Sequence, residues 1–159
     1  MWLKILKWLL VLLPLGLMIF LFSQKGKLEQ YVSGVIKSQN TTGSLDLSER
    51  LIDSLYNHQK NESAYQLTFL EFGAKGCVAC RKMEFVLDEV RQEYPGKVKV
   101  VFLNILKPQN QDLMKYYGIV AIPTQVLLDD TGEEYFRHTG YYSFEDLRKV
   151  FENELAYDQ

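Results

Sequence analysis

Cys77 and Cys80 are the only cysteines in 159 residues, and two residues separate them. On a helix that spacing puts two sulfurs about one turn apart on the same face. The chemistry this permits is thiol–disulfide exchange, in which a thiolate attacks a disulfide and a neighbouring thiol resolves the mixed species. Two carboxyls stand close in sequence, Glu71 before Cys77 and Glu84 after Cys80. Either could move a proton or bias a thiol against ionising. The competing readings are a zinc site and a pair of inert core thiols. Zinc asks for four ligands, or three and a water, and besides the cysteines the chain offers only His58 and His138, neither at ligand spacing. The site residues are therefore read with no metal and no cofactor beyond the cysteine pair itself.

The flanking segments position this pair. Leu67-Thr68-Phe69-Leu70-Glu71-Phe72 is an apolar, aromatic-rich run that predicts a buried strand. Met83, Val86, Leu87 and Val90 recur at helical spacing after the cysteines, and Gly73 and Gly76 supply the bend between. The motif thus sits where a strand feeds the first turn of a helix. Unpaired N–H groups and the positive end of the helix dipole meet a sulfur there and favour its thiolate. Cys77 is expected to be the exposed attacking residue and Cys80 the one that closes back on it. Glu71, inside an apolar run, is expected to be buried with its carboxyl pKa raised, and Glu84 to lie below both sulfurs on one helix face.

Residues from about 67 to 155 resemble a thioredoxin domain. The matching features are the strand ending in Glu71-Phe72, the Cys77-Val78-Ala79-Cys80 pair, the segment Val98 to Ile105, the run Gly118-Ile119-Val120-Ala121-Ile122-Pro123-Thr124, and Gly140. The Val-Ala dipeptide and the acid at Glu84 more specifically resemble the C-terminal thioredoxin domain of the thiol:disulfide interchange protein DsbD. The resemblance implies an α/β thioredoxin fold, a central mixed sheet flanked by helices. It implies a cis proline at Pro123 facing the cysteines across a groove, where the backbone of Ile122, with Val78 and Ala79, would bind an extended substrate strand. Glu71 falls where thioredoxins carry a buried acid. The chain departs from thioredoxin at Gly73 and Gly76, which replace tryptophans, at Val78-Ala79 in place of Gly-Pro, and at Phe102 in place of a lysine that pairs with the acid. The implied partners are protein thiols and disulfides, among them mispaired secreted proteins or apocytochrome thiols, with a transmembrane electron donor of the DsbD type. Loss of the lysine is expected to raise the Glu71 pKa further, and the two acids, which oppose thiolate, favour a reductant; a disulfide-forming oxidase and a non-enzymatic binding module are the rival readings.

A net charge of −2 and the absence of a basic block argue against nucleic acid as a partner. The N-terminus carries an uncharged run from Trp8 to Phe22. Its fifteen residues reach about 22 Å as a helix; with Trp2 to Lys7 added, lysines snorkelling, the span approaches a full crossing. A cleaved signal peptide is the alternative, but Leu21-Phe22-Ser23-Gln24-Lys25 offers no convincing cleavage site. The chain divides into a membrane anchor over 1–24, a linker and helix over 25–62 and the thioredoxin-like domain over 63–159, the last expected outside the cytoplasm in a periplasm-like space.

Within the linker, Asp46-Leu47-Ser48-Glu49 reads as a capping box, with Leu47, Leu51, Leu55 and Ile52 as the apolar stripe of the helix it opens. His58 is expected in that helix's solvated tail. Further along, Gln109 to Tyr117 predicts a short helix ending at Gly118, Asp129-Asp130-Thr131-Gly132 a hairpin turn, and Ser143 the cap of a final helix.

Overall fold

The computed structural model describes residues 42–157, with 12–14, 31 and 34–35. The anchor expected over 1–24 falls outside the described residues except at 12–14, and among the described residues no helix is long and apolar enough to cross a membrane. In chain order the elements are α1 (Thr42–Tyr56), β1 (Leu67–Gly73), α2 (Val78–Glu93), β2 (Val98–Asn104), a 3₁₀ turn (Pro108–Asn110), α3 (Gln111–Tyr116), β3 (Thr124–Leu128), β4 (Glu134–Thr139) and α4 (Phe144–Tyr157). The strands form one mixed sheet in the order β2-β1-β3-β4, with β1 parallel to β2 and antiparallel to β3, and β3 antiparallel to β4.

β1 is buried at every position, as a central strand covered on both faces must be. Its alternation sorts two cores. Leu67 and Phe69 point to one face, where Met83, Val86, Leu87 and Val90 of α2 and Phe144, Leu147 and Phe151 of α4 close over them. Leu70 and Phe72 point to the other, against Ile52 and Tyr56 of α1 and Leu113 and Tyr117 around α3. Burying side chains of this size stabilises the fold by about 1.5–3 kcal/mol each relative to exposure, which is why the short helices hold.

The local stops are chemical. α3 ends at Gly118, whose φ of +60° lets the Gly118 and Ile119 amides return to the carbonyls of Lys115 and Met114. Ser143 caps α4: its Oγ accepts from the Asp146 amide at 3.2 Å and donates to the Asp146 carboxylate at 2.6 Å.

α1 departs from the sequence reading in two ways. It begins at Thr42, so Asp46 lies inside the helix and pairs with Arg50 one turn on rather than capping it. The buried face is Ser48, Ile52 and Tyr56, while Leu47, Leu51 and Leu55 are exposed. Both sets repeat every fourth residue; Tyr56 packs in the core beside the sheet and carries the Lys99 ammonium over its ring. His58, expected in solvent, is instead 3% exposed and shares a 2.8 Å hydrogen bond with Thr68. The backbone draws it in, since the His58 and Gln59 amides both donate to the carbonyl of Asp130 in the β3–β4 turn.

Candidate redox site

β1 ends at Gly73, and the chain turns through Ala74, Lys75 and Gly76 into α2. Cys77 is the N-cap residue of that helix, in an extended conformation with φ −85° and ψ 122°. Its sulfur accepts a hydrogen bond from the Cys80 amide at 3.1 Å, so it occupies the place a capping oxygen would take and meets an unpaired N–H of the first turn. Cys77 and Cys80 are joined in a disulfide with their Cα atoms 5.2 Å apart. Cys77 is half-buried and Cys80 is 2% exposed. One sulfur is therefore within reach of a partner and the other is held behind it. Val78 is exposed and Ala79 half-buried on the same turn.

Glu71 is fully buried, and burial pushes its carboxyl up to about 8, against the pull of one hydrogen bond from Gln125. It shares a sheet face with Gly73, and a Cβ on Gly73 would lie 3.4 Å from the Cys80 Cβ. The carboxyl therefore stands one strand repeat from the wall against the buried sulfur. Among the described residues no lysine answers it. Across the sheet, Glu71 pairs with Phe102 on β2 and with Gln125 on β3. The Phe102 ring crosses over Gly73, where an added Cβ would come within 2.8 Å of it. Gly73 is thus a glycine for want of space.

Glu84 stays at the surface. α2 buries Cys80, Met83, Val86, Leu87 and Val90, and Glu84 is solvent-exposed beside that stripe. It lies about one turn past Cys80, and open water screens its charge. Among the described residues it makes no ion pair with Arg81 or Lys82.

The Ile122–Pro123 peptide bond is cis. Thr124 pairs with Phe72, so Pro123 lies just past the β1 end at which the cysteine turn begins. The Pro123 carbonyl accepts from the Gly140 amide at 2.8 Å, and Thr124 Oγ1 donates to the Ala121 carbonyl at 2.8 Å, which ties the segment to β4 and to itself. Ile122 is half-buried and makes no backbone hydrogen bond among the described residues. Val78 in the first turn of α2 and Leu106, Val120 and Tyr141 on loops are exposed apolar residues at this same end of the sheet. Their separation along the chain, more than sixty positions from Val78 to Tyr141, hid the shared rim from sequence reasoning.

Sequence reasoning also missed Gln125. It is buried on a central strand and donates at 3.0 Å to Glu71 Oε2 and at 3.2 Å to the Gly140 carbonyl. The only signal was a polar residue inside the apolar run Thr124 to Leu128. His138, on β4, pairs with Gln125 and stacks on Tyr142 with ring centroids 4.4 Å apart. No group of three or more His, Cys, Asp or Glu residues able to hold a metal occurs among the described residues.

Residues 56–154 match the thioredoxin-like domain family. The chain is 42% identical to the thioredoxin of Pseudomonas aeruginosa over 65 residues, covering 41% of this chain and 58% of that one. It is 32% identical to the thioredoxin of Rickettsia felis over 88 residues, covering 55% and 80%. A solved mutant thioredoxin from Halobacterium salinarum NRC-1 superposes with a TM-score of 0.51 at 26% identity, covering 58% of this chain and 78% of that one. The chain belongs to the thioredoxin-like family, and Cys77 and Cys80 make it a thiol:disulfide oxidoreductase.

Proposed function

We propose that the chain is a membrane-tethered oxidoreductase whose redox domain works outside the cytoplasm and reduces protein disulfides. The observation that carries this reading is the asymmetry of the cysteine pair: Cys77 capping a helix within reach of solvent, Cys80 buried behind it. A Cys77 thiolate attacks one sulfur of a substrate disulfide, and the other substrate sulfur leaves as a thiolate that takes its proton from water. Cys80 then gives its proton to the Glu71 carboxylate and attacks Cys77 Sγ. The second substrate sulfur departs, and the two electrons of the dithiol have passed to the substrate. A carboxyl held near 8 can accept and return that proton at neutral pH.

Substrate docks as an extended segment against Ile122, whose unpaired backbone invites strand addition, over the rim of Val78, Ala79, Val120 and Leu106. A buried acid without a charged partner opposes nearby thiolate, and this supports a reductant over a strong oxidant. The uncharged run from Trp8 to Phe22 supports the tether. Recharging by a transmembrane donor of the DsbD type is the matching supply of electrons.

The Cys80→Ser variant tests the reading. It removes the resolving thiol, so mixed disulfides through Cys77 accumulate on extracytoplasmic proteins and dissolve on adding reductant. Were partners still bound but never covalently, the chain would be a binding module. A reduction potential as high as that of the strong oxidants would instead assign it to disulfide formation.

A further inference from the structure

A row of side chains crosses the sheet on the face that carries the cysteines. Phe102 of β2, Glu71 of β1, Gln125 of β3 and His138 of β4 occupy one register line. Gln125 is fully buried in the middle of it, at a position where its neighbours along β3, Val126, Leu127 and Leu128, are aliphatic. Placing a primary amide there costs free energy unless its hydrogen bonds are made. Both of its N–H groups are used, one on Glu71 Oε2 and one on the Gly140 carbonyl. Glu71 Oε1 is buried with no hydrogen-bond partner among the described residues, and so is Gln125 Oε1.

We propose that Gln125 is the positioning residue of this site: it clamps one carboxylate oxygen of Glu71 to the backbone beside Pro123 and leaves Oε1 as the atom that exchanges a proton with Cys80. This rests on the reading of Glu71 as proton carrier. An amide suits the task because it donates to a carboxylate and, turned over, accepts from a carboxylic acid. Leucine could do neither, and lysine would hold the anion alone. The clamp also joins proton transfer to the groove, since Gly140 donates in turn to the Pro123 carbonyl.

The surroundings leave Gln125 as the main polar influence on Glu71. β2 presents Phe102. From α2 come Cys80 and Met83, and from α4 the buried Phe144, Leu147 and Phe151. Among the described residues the titratable groups on this face are the cysteine pair, Tyr94 and Tyr135 packed against its core and, beyond Gln125, His138 with Tyr142 stacked on it.

The test follows the second half-reaction. Cys77 of the reduced chain is capped with one thionitrobenzoate, and its release by Cys80 is timed from acid to alkaline pH. Gln125→Met keeps length and bulk and removes both donors. Losing a hydrogen bond to the ionised form disfavours it, so the pH midpoint of the rate is expected to rise by about one unit, a tenfold change in proton affinity. A loss of rate at every pH with the midpoint unmoved would mark Gln125 as merely structural and overturn the inference. Glu71→Gln separates the two ideas. If it abolishes the midpoint while Gln125→Met leaves it in place, the positioning role falls and the proton carrier stands. If it leaves the profile untouched, the proton-carrier reading falls and takes this inference with it.

An independent measurement needs no variant. In the unmodified chain the Nε2 protons of Gln125, followed by NMR, are expected to titrate with the same midpoint as the Glu71 carboxyl carbon. Side-chain amide signals that stay fixed through that midpoint would refute the contact.

Discussion

Glu71→Gln makes a prediction about stability that can be worked from burial alone. In the native chain the carboxyl keeps its proton up to about 8, while its ordinary value is 4.5. Between those two values the native state binds more protons than the unfolded state, so unfolding becomes easier as pH rises. The contribution of the neutral, buried carboxyl is complete below 4.5 and is lost progressively until the native group itself ionises near 8. Each pH unit is worth about 1.4 kcal/mol, so the whole window amounts to about 5 kcal/mol. That is a third or more of the roughly 5–15 kcal/mol that holds an ordinary domain together. Glutamine keeps the shape, remains neutral and has no such slope. Urea unfolding of both proteins at a series of pH values, with the disulfide intact, should give curves that lie close together in acid and diverge steadily toward alkaline pH, the variant being the more stable. Parallel curves across the window would show that Glu71 is ionised in the native state at neutral pH. The proton relay and the clamp built on it would then lose their basis.

Gly73→Ala pushes a methyl against the Phe102 ring at 2.8 Å, and overpacking of this kind costs about 1–3 kcal/mol. Adding Phe102→Leu should recover most of that loss in urea unfolding, and a double variant no better than the single would deny the contact. His58 should act at the opposite end of the pH range from Glu71. Burial, helped by Lys99, holds its pKa below the ordinary 6.5, so the unfolded state takes up the proton first and stability falls as pH drops through that value. His58→Gln should remove this acid-side loss, read as the difference between variant and wild-type urea midpoints; an unchanged difference across the range would refute it.

Local pattern was enough to read much of this molecule. β1 announced itself as a near-continuous apolar run, α2 as an amphipathic repeat beginning at the cysteines, and the ends of α3 and α4 by Gly118 and Ser143. Each of those signals is carried by residues within a few positions of one another, where backbone chemistry acts. The same locality misled at α1. Leucines at every fourth residue and the set Ser48, Ile52 and Tyr56 repeat with the same period, and only the shape of the sheet beneath them selects between the two.

The heart of the site shows the same division more sharply. Glu71 could be expected to be buried from its own strand, but what surrounds it depends on which strands lie beside β1 and in what register. Phe102 and Gln125 come from segments about thirty and fifty residues away. A slip of one residue on β3 that set Val126 in place of the amide would leave the carboxyl without its donor. The cross-strand pairing therefore determines the acid's charge state as much as the acid's own identity does. A chain with the same cysteine pair, the same Ile-Pro-Thr and an aliphatic residue in place of Gln125 would keep the fold while its buried carboxyl held its proton to a higher pH.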